Sequence, residues 1–140
     1  MSDRDTATGG CLCGAVQFTV DRSGAATAHH CHCDECKRST GCGKATFVMV
    51  ADSHMNVTRG EAKFYSVAGA SGGQVHRGFC AECGSPLFSR VDVLPGMYFV
   101  KAGAFDDSSW IEPVSSFWAT SAQGWSPVDA AIEAHDHNPG

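Results

Sequence analysis

Charge is scarce in this sequence. Only 18% of its 140 residues are Asp, Glu, Lys or Arg, and the net charge is −5. Binding nucleic acid requires a clustered basic face, so a general nucleic-acid partner is not expected. Long apolar runs are also missing. No stretch approaches the ~18 residues of a membrane span, so no membrane partner is expected either. Met1 to Thr6 carry no apolar run before Gly9-Gly10, unlike a secretory leader, and a cytoplasmic location is expected. Internal repeats, low-complexity blocks and second-domain signals are absent. The hydrophobic share of 43% is too high for a disordered chain, and the length suits one domain.

Cysteine, by contrast, is abundant. Eight cysteines make up about 6% of the chain, below the ~8–10% of a disulfide scaffold but far above ordinary usage. Disulfides rarely persist in the cytoplasm, so metal ligation is the first candidate role.

Helix signals are few. Ser126-Pro127-Val128-Asp129 reads as a helix start before the apolar residues 130–132, predicting a short C-terminal helix. Elsewhere the pattern is β. Val16, Phe18 and Val20 alternate with Gln17 and Thr19, a half-buried strand. Similar runs lie at 45–50, 63–67, 78–79, 86–91, 97–100 and 116–120. Residues 69–73 read as a loop, Leu94-Pro95-Gly96 as a hairpin turn and 106–110 as a short turn. Many short strands at this spacing predict an all-β sandwich or barrel-like sheet. Residues 1–9 are expected to be a flexible arm, 10–135 a single domain and 136–140 a frayed tail.

The cysteines fall into blocks. Cys11 and Cys13 form C-x-C, Cys31, Cys33 and Cys36 form C-x-C-x-x-C, and Cys80 and Cys83 form C-x-x-C before Gly84. Cys42 stands apart. Tetrahedral zinc takes four such ligands at about 2.3 Å. Residues i and i+2 of a strand share a face, so Cys11 and Cys13 can converge on one ion. The simplest partition is a closed site of Cys11, Cys13, Cys80 and Cys83 and an open site of Cys31, Cys33 and Cys36. A closed four-thiolate site is structural, whereas three ligands and an exchangeable position suit catalysis. The alternative is one zinc ribbon of Cys33, Cys36, Cys80 and Cys83. With two Zn²⁺ on seven thiolates, the loaded chain would carry about −8.

Three segments resemble the glutathione-dependent formaldehyde-activating enzyme family, which includes the centromere protein V-like proteins. They are Gly10-Cys11-Leu12-Cys13-Gly14-Ala15-Val16, Cys31-His32-Cys33-Asp34-Glu35-Cys36-Lys37-Arg38 and Phe79-Cys80-Ala81-Glu82-Cys83-Gly84-Ser85-Pro86-Leu87. Gly60 to Tyr65, Gly103 and Trp125 also sit in family-like places. The resemblance covers roughly residues 9–126. It implies an all-β, Mss4-like fold of zinc-stapled antiparallel sheets with two zinc ions. Cys11, Cys13, Cys80 and Cys83 would hold a structural zinc. Cys31, Cys33 and Cys36 would hold an exposed zinc at the active site. The implied activity is that of a carbon–sulfur lyase run in reverse, joining formaldehyde to glutathione as S-hydroxymethylglutathione. One departure stands out. After Pro113, where the family has a histidine, this chain reads Val114-Ser115-Ser116-Phe117.

A thiol and an aldehyde are thus the expected small-molecule partners, with glutathione as co-substrate. Glutathione carries carboxylates, and Lys37, Arg38, Lys44 and Arg77 are candidate contacts, with Lys37 and Arg38 foremost because they follow the open motif. The plainer reading of each is surface charge. His29, His30 and His32 flank Cys31 as candidate ligands or bases, against the commoner role of neighbouring support. Cys42 is expected to be a spare thiol, and Trp118 and Trp125, candidates for lining a pocket, are expected by default to pack in the core. Competing functions are a non-catalytic glutathione or small-thiol binder and an interaction module with purely structural zinc. A methionine sulfoxide reductase is disfavoured because no cysteine follows Cys83.

Overall fold

The computed structural model describes residues 5–70 and 72–139. Eleven strands and one helix follow in chain order: β1 (Thr6–Gly10), β2 (Gln17–Asp21), β3 (Ala25–Cys31), α1 (Asp34–Thr40), β4 (Ala45–Ala51) and β5 (Met55–Arg59). Then come β6 (Lys63–Ala68), β7 (Gln74–Phe79), β8 (Pro86–Val91), β9 (Met97–Lys101), β10 (Pro113–Phe117) and β11 (Glu133–Ala134). The fold is all-β, as expected. A three-stranded sheet runs β1-β2-β5, and an eight-stranded sheet runs β11-β10-β3-β4-β9-β8-β7-β6.

The core lies between the sheets. Phe18 of β2 is 1% exposed and meets Phe88 of β8 and Phe105 edge-on, at 6.3 and 5.5 Å between ring centres. Val48 and Val50 of β4, Leu87 of β8 and Val100 of β9 complete this layer. Strand periodicity sends the intervening residues to the opposite face of the large sheet. Phe47 and Met49 of β4 therefore point away from the core, and together with Val48 and Val50 they make β4 apolar on both faces. Such a continuous apolar run marks a strand that is covered on both sides.

Several details depart from the sequence reading. The large sheet is mixed, because β10 pairs in parallel with both β3 and β11. No helix forms at 126–134. There the Asp129 carboxylate accepts from the Ala131 N–H at 2.9 Å, a local turn that competes with a helix. The chain then enters β11, and the His135 N–H donates to the Ser116 carbonyl at 2.8 Å. The one α-helix among the described residues is α1, capped at its start by the Cys33 sulfur and at its end by Gly41 in the left-handed region.

The expected arm at 1–9 is partly strand, since β1 pairs along its length with β2. Residues 1–4 lie outside the described residues. The expected frayed tail is tied down: the Trp118 N–H donates to the His137 carbonyl at 3.0 Å, and the Trp118 indole to Asn138 Oδ1 at 2.8 Å. Gly140 is outside the described residues. Strand β10 lies three residues before the expected 116–120, because Trp118 adopts φ 55, which ends it.

Candidate metal centres and the adjoining cavity

The eight cysteines are all free thiols, and seven form two groups. Within each group the sulfurs lie within 4.8 Å of one another. The partition is four plus three, and the ribbon alternative is not formed. Cys42 is exposed and belongs to neither group.

The four-sulfur group comprises Cys11, Cys13, Cys80 and Cys83. Two tight turns build it. After β1 the Cys11 N–H donates to the Val16 carbonyl at 3.0 Å, and the Gly14 N–H returns to the Cys11 carbonyl at 3.2 Å. After β7 the Cys80 N–H reaches the Ser85 carbonyl at 3.0 Å and the Gly84 N–H reaches the Cys80 carbonyl at 2.8 Å. Each turn ends on a glycine of positive φ, +79 at Gly14 and +78 at Gly84, where a side chain would be strained. Cys11 and Cys13 thus converge through a turn, not as alternate residues of a strand. The Cys11–Cys13 and Cys13–Cys80 sulfurs are both 3.7 Å apart. A tetrahedron of 2.3 Å zinc–sulfur bonds has edges of about 3.8 Å, so the sulfurs fit such an ion. The Val16 N–H donates to the Cys11 sulfur at 3.2 Å. The Ser85 hydroxyl lies 3.1 Å from the Cys83 sulfur and, with the Ser85 N–H, holds that thiol down to about 5. These donors already favour thiolate.

The three-sulfur group is local. Cys31 ends β3 and is buried, while Cys33 caps α1 and Cys36 sits in its first turn, both half-buried. The Cys36 N–H donates to the Cys33 sulfur at 3.3 Å. The thiols of Cys31 and Cys36, that N–H and the nearby Arg77 charge hold Cys33 far below the usual thiol range. Cys31 is pushed up by the same sharing and by burial.

This group opens on a cavity of about 670 Å³ over the outer face of the large sheet. Strand register orders its wall. Nearest the sulfurs, Phe47 faces Lys101; next come Met49, Phe99, Ser89 and Arg77 in a row across four strands; beyond them Val91 faces Val75. Two cations therefore stand near the sulfurs. Lys101 donates to the Ser89 hydroxyl at 3.2 Å, and burial pushes its ammonium below the ordinary range against the pull of Cys36. Arg77 pairs with Glu35 at 3.5 Å.

The sequence places Lys37 and Arg38 foremost instead. Lys37 binds the Ser121 carbonyl at 2.8 Å and Asp34 at 3.1 Å, and Arg38 is exposed; neither is among the residues that line the cavity. Lys37 is drawn instead to the Ser121 carbonyl and Asp34, and α1 turns Arg38 to the side opposite Cys36. Lys44 is half-buried and also outside the lining. Arg77 was a candidate and does line it. Lys101 escaped notice because it ends an apolar strand far from every cysteine in sequence. Its signal was a lone cation on the alternating face of 97–101.

Neither metal group includes a histidine. His29 is buried between Thr27 and Ser115, with each ring nitrogen 2.6 Å from a hydroxyl, and stacks on Phe117 at 4.7 Å. His30 meets the Thr46 hydroxyl at 2.7 Å, and His32 is fully buried. Burial holds all three imidazoles below their ordinary range. Ser115, in the segment where the resemblance led to an expected histidine, hydrogen-bonds a histidine from the neighbouring strand instead. Neither candidate tryptophan is in the core. Trp118 lines the cavity, and Trp125 is 72% exposed.

Fold and site together define an all-β protein with two thiolate clusters able to hold metal, one joining the sheets and one facing a cavity. The family model for glutathione-dependent formaldehyde-activating enzymes matches residues 6–121, and the chain belongs to that family. Curated relatives from Aspergillus flavus and Aspergillus oryzae, provisionally named for that activity, are 29% identical over 123 residues, covering 84% of this chain and 63% of theirs. One from Pyrenophora teres f. teres, named likewise, is 28% identical over 125 residues, covering 85% and 65%. The chain thus spans less than two thirds of these relatives. A crystal structure of a Rhodobacter sphaeroides protein aligns with a TM-score of 0.57 at 25% identity, covering 76% of this chain and 91% of that one. No helix among the described residues is long and apolar enough to cross a membrane.

Proposed function

We propose that the protein is a zinc-dependent carbon–sulfur lyase acting on a glutathione–aldehyde adduct of the S-hydroxymethylglutathione type, working in a reducing, cytoplasmic compartment. The observation that carries this reading is a cluster of three cysteine sulfurs, with no fourth ligand among the described residues, placed at a cavity that also holds Arg77 and Lys101. Thiolate ligands suit zinc. Cys11, Cys13, Cys80 and Cys83 would hold a structural ion, and Cys31, Cys33 and Cys36 one with an exchangeable position. When bound there, zinc supplies positive charge that favours the thiolate form of a thiol and polarises a carbonyl oxygen.

The chain's own residues supply the rest. Lys101 and Arg77 hold a glutathione carboxylate beside the sulfurs, where a charge-assisted bond is strong. Phe47 and Phe99 wall the site from water. In the reaction the thiol sulfur bonds to the carbonyl carbon, the C=O π pair moves to oxygen, and oxygen gains the proton that the thiol lost. No redox change occurs.

The test is the rate of adduct formation from glutathione and formaldehyde with zinc-loaded protein, measured above the spontaneous rate. Cys33→Ser is expected to abolish the acceleration, and an unchanged rate would contradict the reading. Lys101→Met is expected to raise KM for glutathione about tenfold, the worth of one hydrogen bond to a charged group. Arg38→Met, exposed and outside the cavity lining, leaves KM unchanged.

A further inference from the structure

The cavity is more apolar than a glutathione–formaldehyde adduct needs. Its volume of about 670 Å³ lies in the range of pockets for drug-sized ligands. Formaldehyde adds to the sulfur only one carbon and one oxygen. The cations occupy only the part near the sulfurs. Beyond the row of Arg77 and Ser89, the Val75–Val91 pair lies two residues further along its strands, roughly 7 Å on. Val93 and Leu94 continue that end, each about half exposed at 48% and 46%, and both line the cavity.

The wall beside the cations, on β4, β9 and β10, is also apolar. Phe47 meets Phe99 edge-on at 5.4 Å and Phe117 at 6.0 Å, and Met49 sits across from Phe99. Glutathione is a poor occupant for this stretch. Its amides and second carboxylate would be stripped of water against side chains that offer no hydrogen bonds, which is costly. An apolar group satisfies the same surface at no such cost, and gains for each methylene it buries.

We infer that the cavity is built for adducts whose aldehyde-derived carbon bears an apolar alkyl or aryl group, so that the substrate class is a hemithioacetal of a larger aldehyde. This rests on the glutathione reading above for the polar half of the ligand. The sulfur lies by Cys31, Cys33 and Cys36, one carboxylate lies on Lys101 and Arg77, and the apolar group extends over Phe99 and Met49 toward Val75 and Val91.

Stable thioethers test the inference by binding alone. Calorimetry on zinc-loaded protein compares S-hexylglutathione with S-methylglutathione. The hexyl compound is expected to bind at least about tenfold more tightly, since it carries five further methylenes. Phe99→Ala and, separately, the half-buried Val75→Ser are expected to cut that preference severalfold, and either variant suffices if the other fails to fold. Equal affinities would overturn the inference while leaving the glutathione reading in place. Binding of neither compound would overturn both.

Discussion

The four-sulfur and three-sulfur clusters use the same donor atom but are assembled in opposite ways. Cys13 and Cys80, 67 residues apart, bring their sulfurs to 3.7 Å and so tie the turn after β1 in the small sheet to the turn after β7 in the large one. Cys31, Cys33 and Cys36 span six residues and tie β3 only to the helix that follows it. Closing the longer loop removes about 2 kcal/mol more chain entropy from the unfolded state than closing the shorter one. A metal in the first cluster is therefore expected to act on folding. A metal in the second can come and go while the fold persists, which is what an exchangeable site at a cavity requires. The donors around the sulfurs follow the same division. Both clusters take a backbone N–H, but the first adds the Ser85 hydroxyl of its own turn, whereas the second adds the charges of Arg77 and Lys101 on the cavity wall.

The sharpest way to break this division is to remove one sulfur from each cluster. Four-thiolate sites supply about 10–16 kcal/mol of folding free energy in small zinc domains. Cys80→Ser is therefore expected to cost on the order of 5 kcal/mol or more and to abolish cooperative thermal unfolding near the parent Tm. Cys33→Ser is expected to keep a cooperative transition within a few degrees of it. Thermal melts followed by circular dichroism, with zinc present, check both. Equal losses would erase the distinction.

A gentler comparison uses two glycines. Gly84, in the turn of the closed cluster, and Gly41, at the end of α1, have φ of +78 and +71, and an added Cβ would meet nothing within 4 Å at either. Alanine at either position therefore pays only the left-handed backbone penalty, about 1 kcal/mol. Gly84→Ala is expected to lower global stability by that amount in denaturant melts. Gly41→Ala is expected to show chiefly as faster amide exchange in α1, because local opening there does not require the sheets to part.

The division itself was legible in the sequence, because cysteine spacing is a local property. So were β4, β6, β8 and β9, whose apolar or alternating runs stand between clear turns. Strands β1 and β3 were not. Thr6–Gly10 and Ala25–Cys31 are built of small and polar residues, and they hold their places through pairing with β2 and β4, which no local pattern reports. Helix α1 has seven residues and no apolar periodicity; its cysteine cap is set by the site it serves. The apparent helix start at Ser126 was outweighed by β11 pairing and the Asp129 turn. The cavity was the least visible part. Lys101 meets the cysteines only through the register of β4 against β9, and Trp118 reaches the rim through a backbone conformation unusual for its residue type.

The central claim is that one metal holds the fold and the other serves the cavity. Zinc content followed during chelation, on the same sample as adduct formation and circular dichroism, tests it most directly. Two zinc ions per chain are expected at the start. A moderate chelator should remove one, with loss of the acceleration and an unchanged spectrum, and the second should leave only as the protein unfolds. Simultaneous release of both ions, or full activity after the first has gone, would contradict the claim.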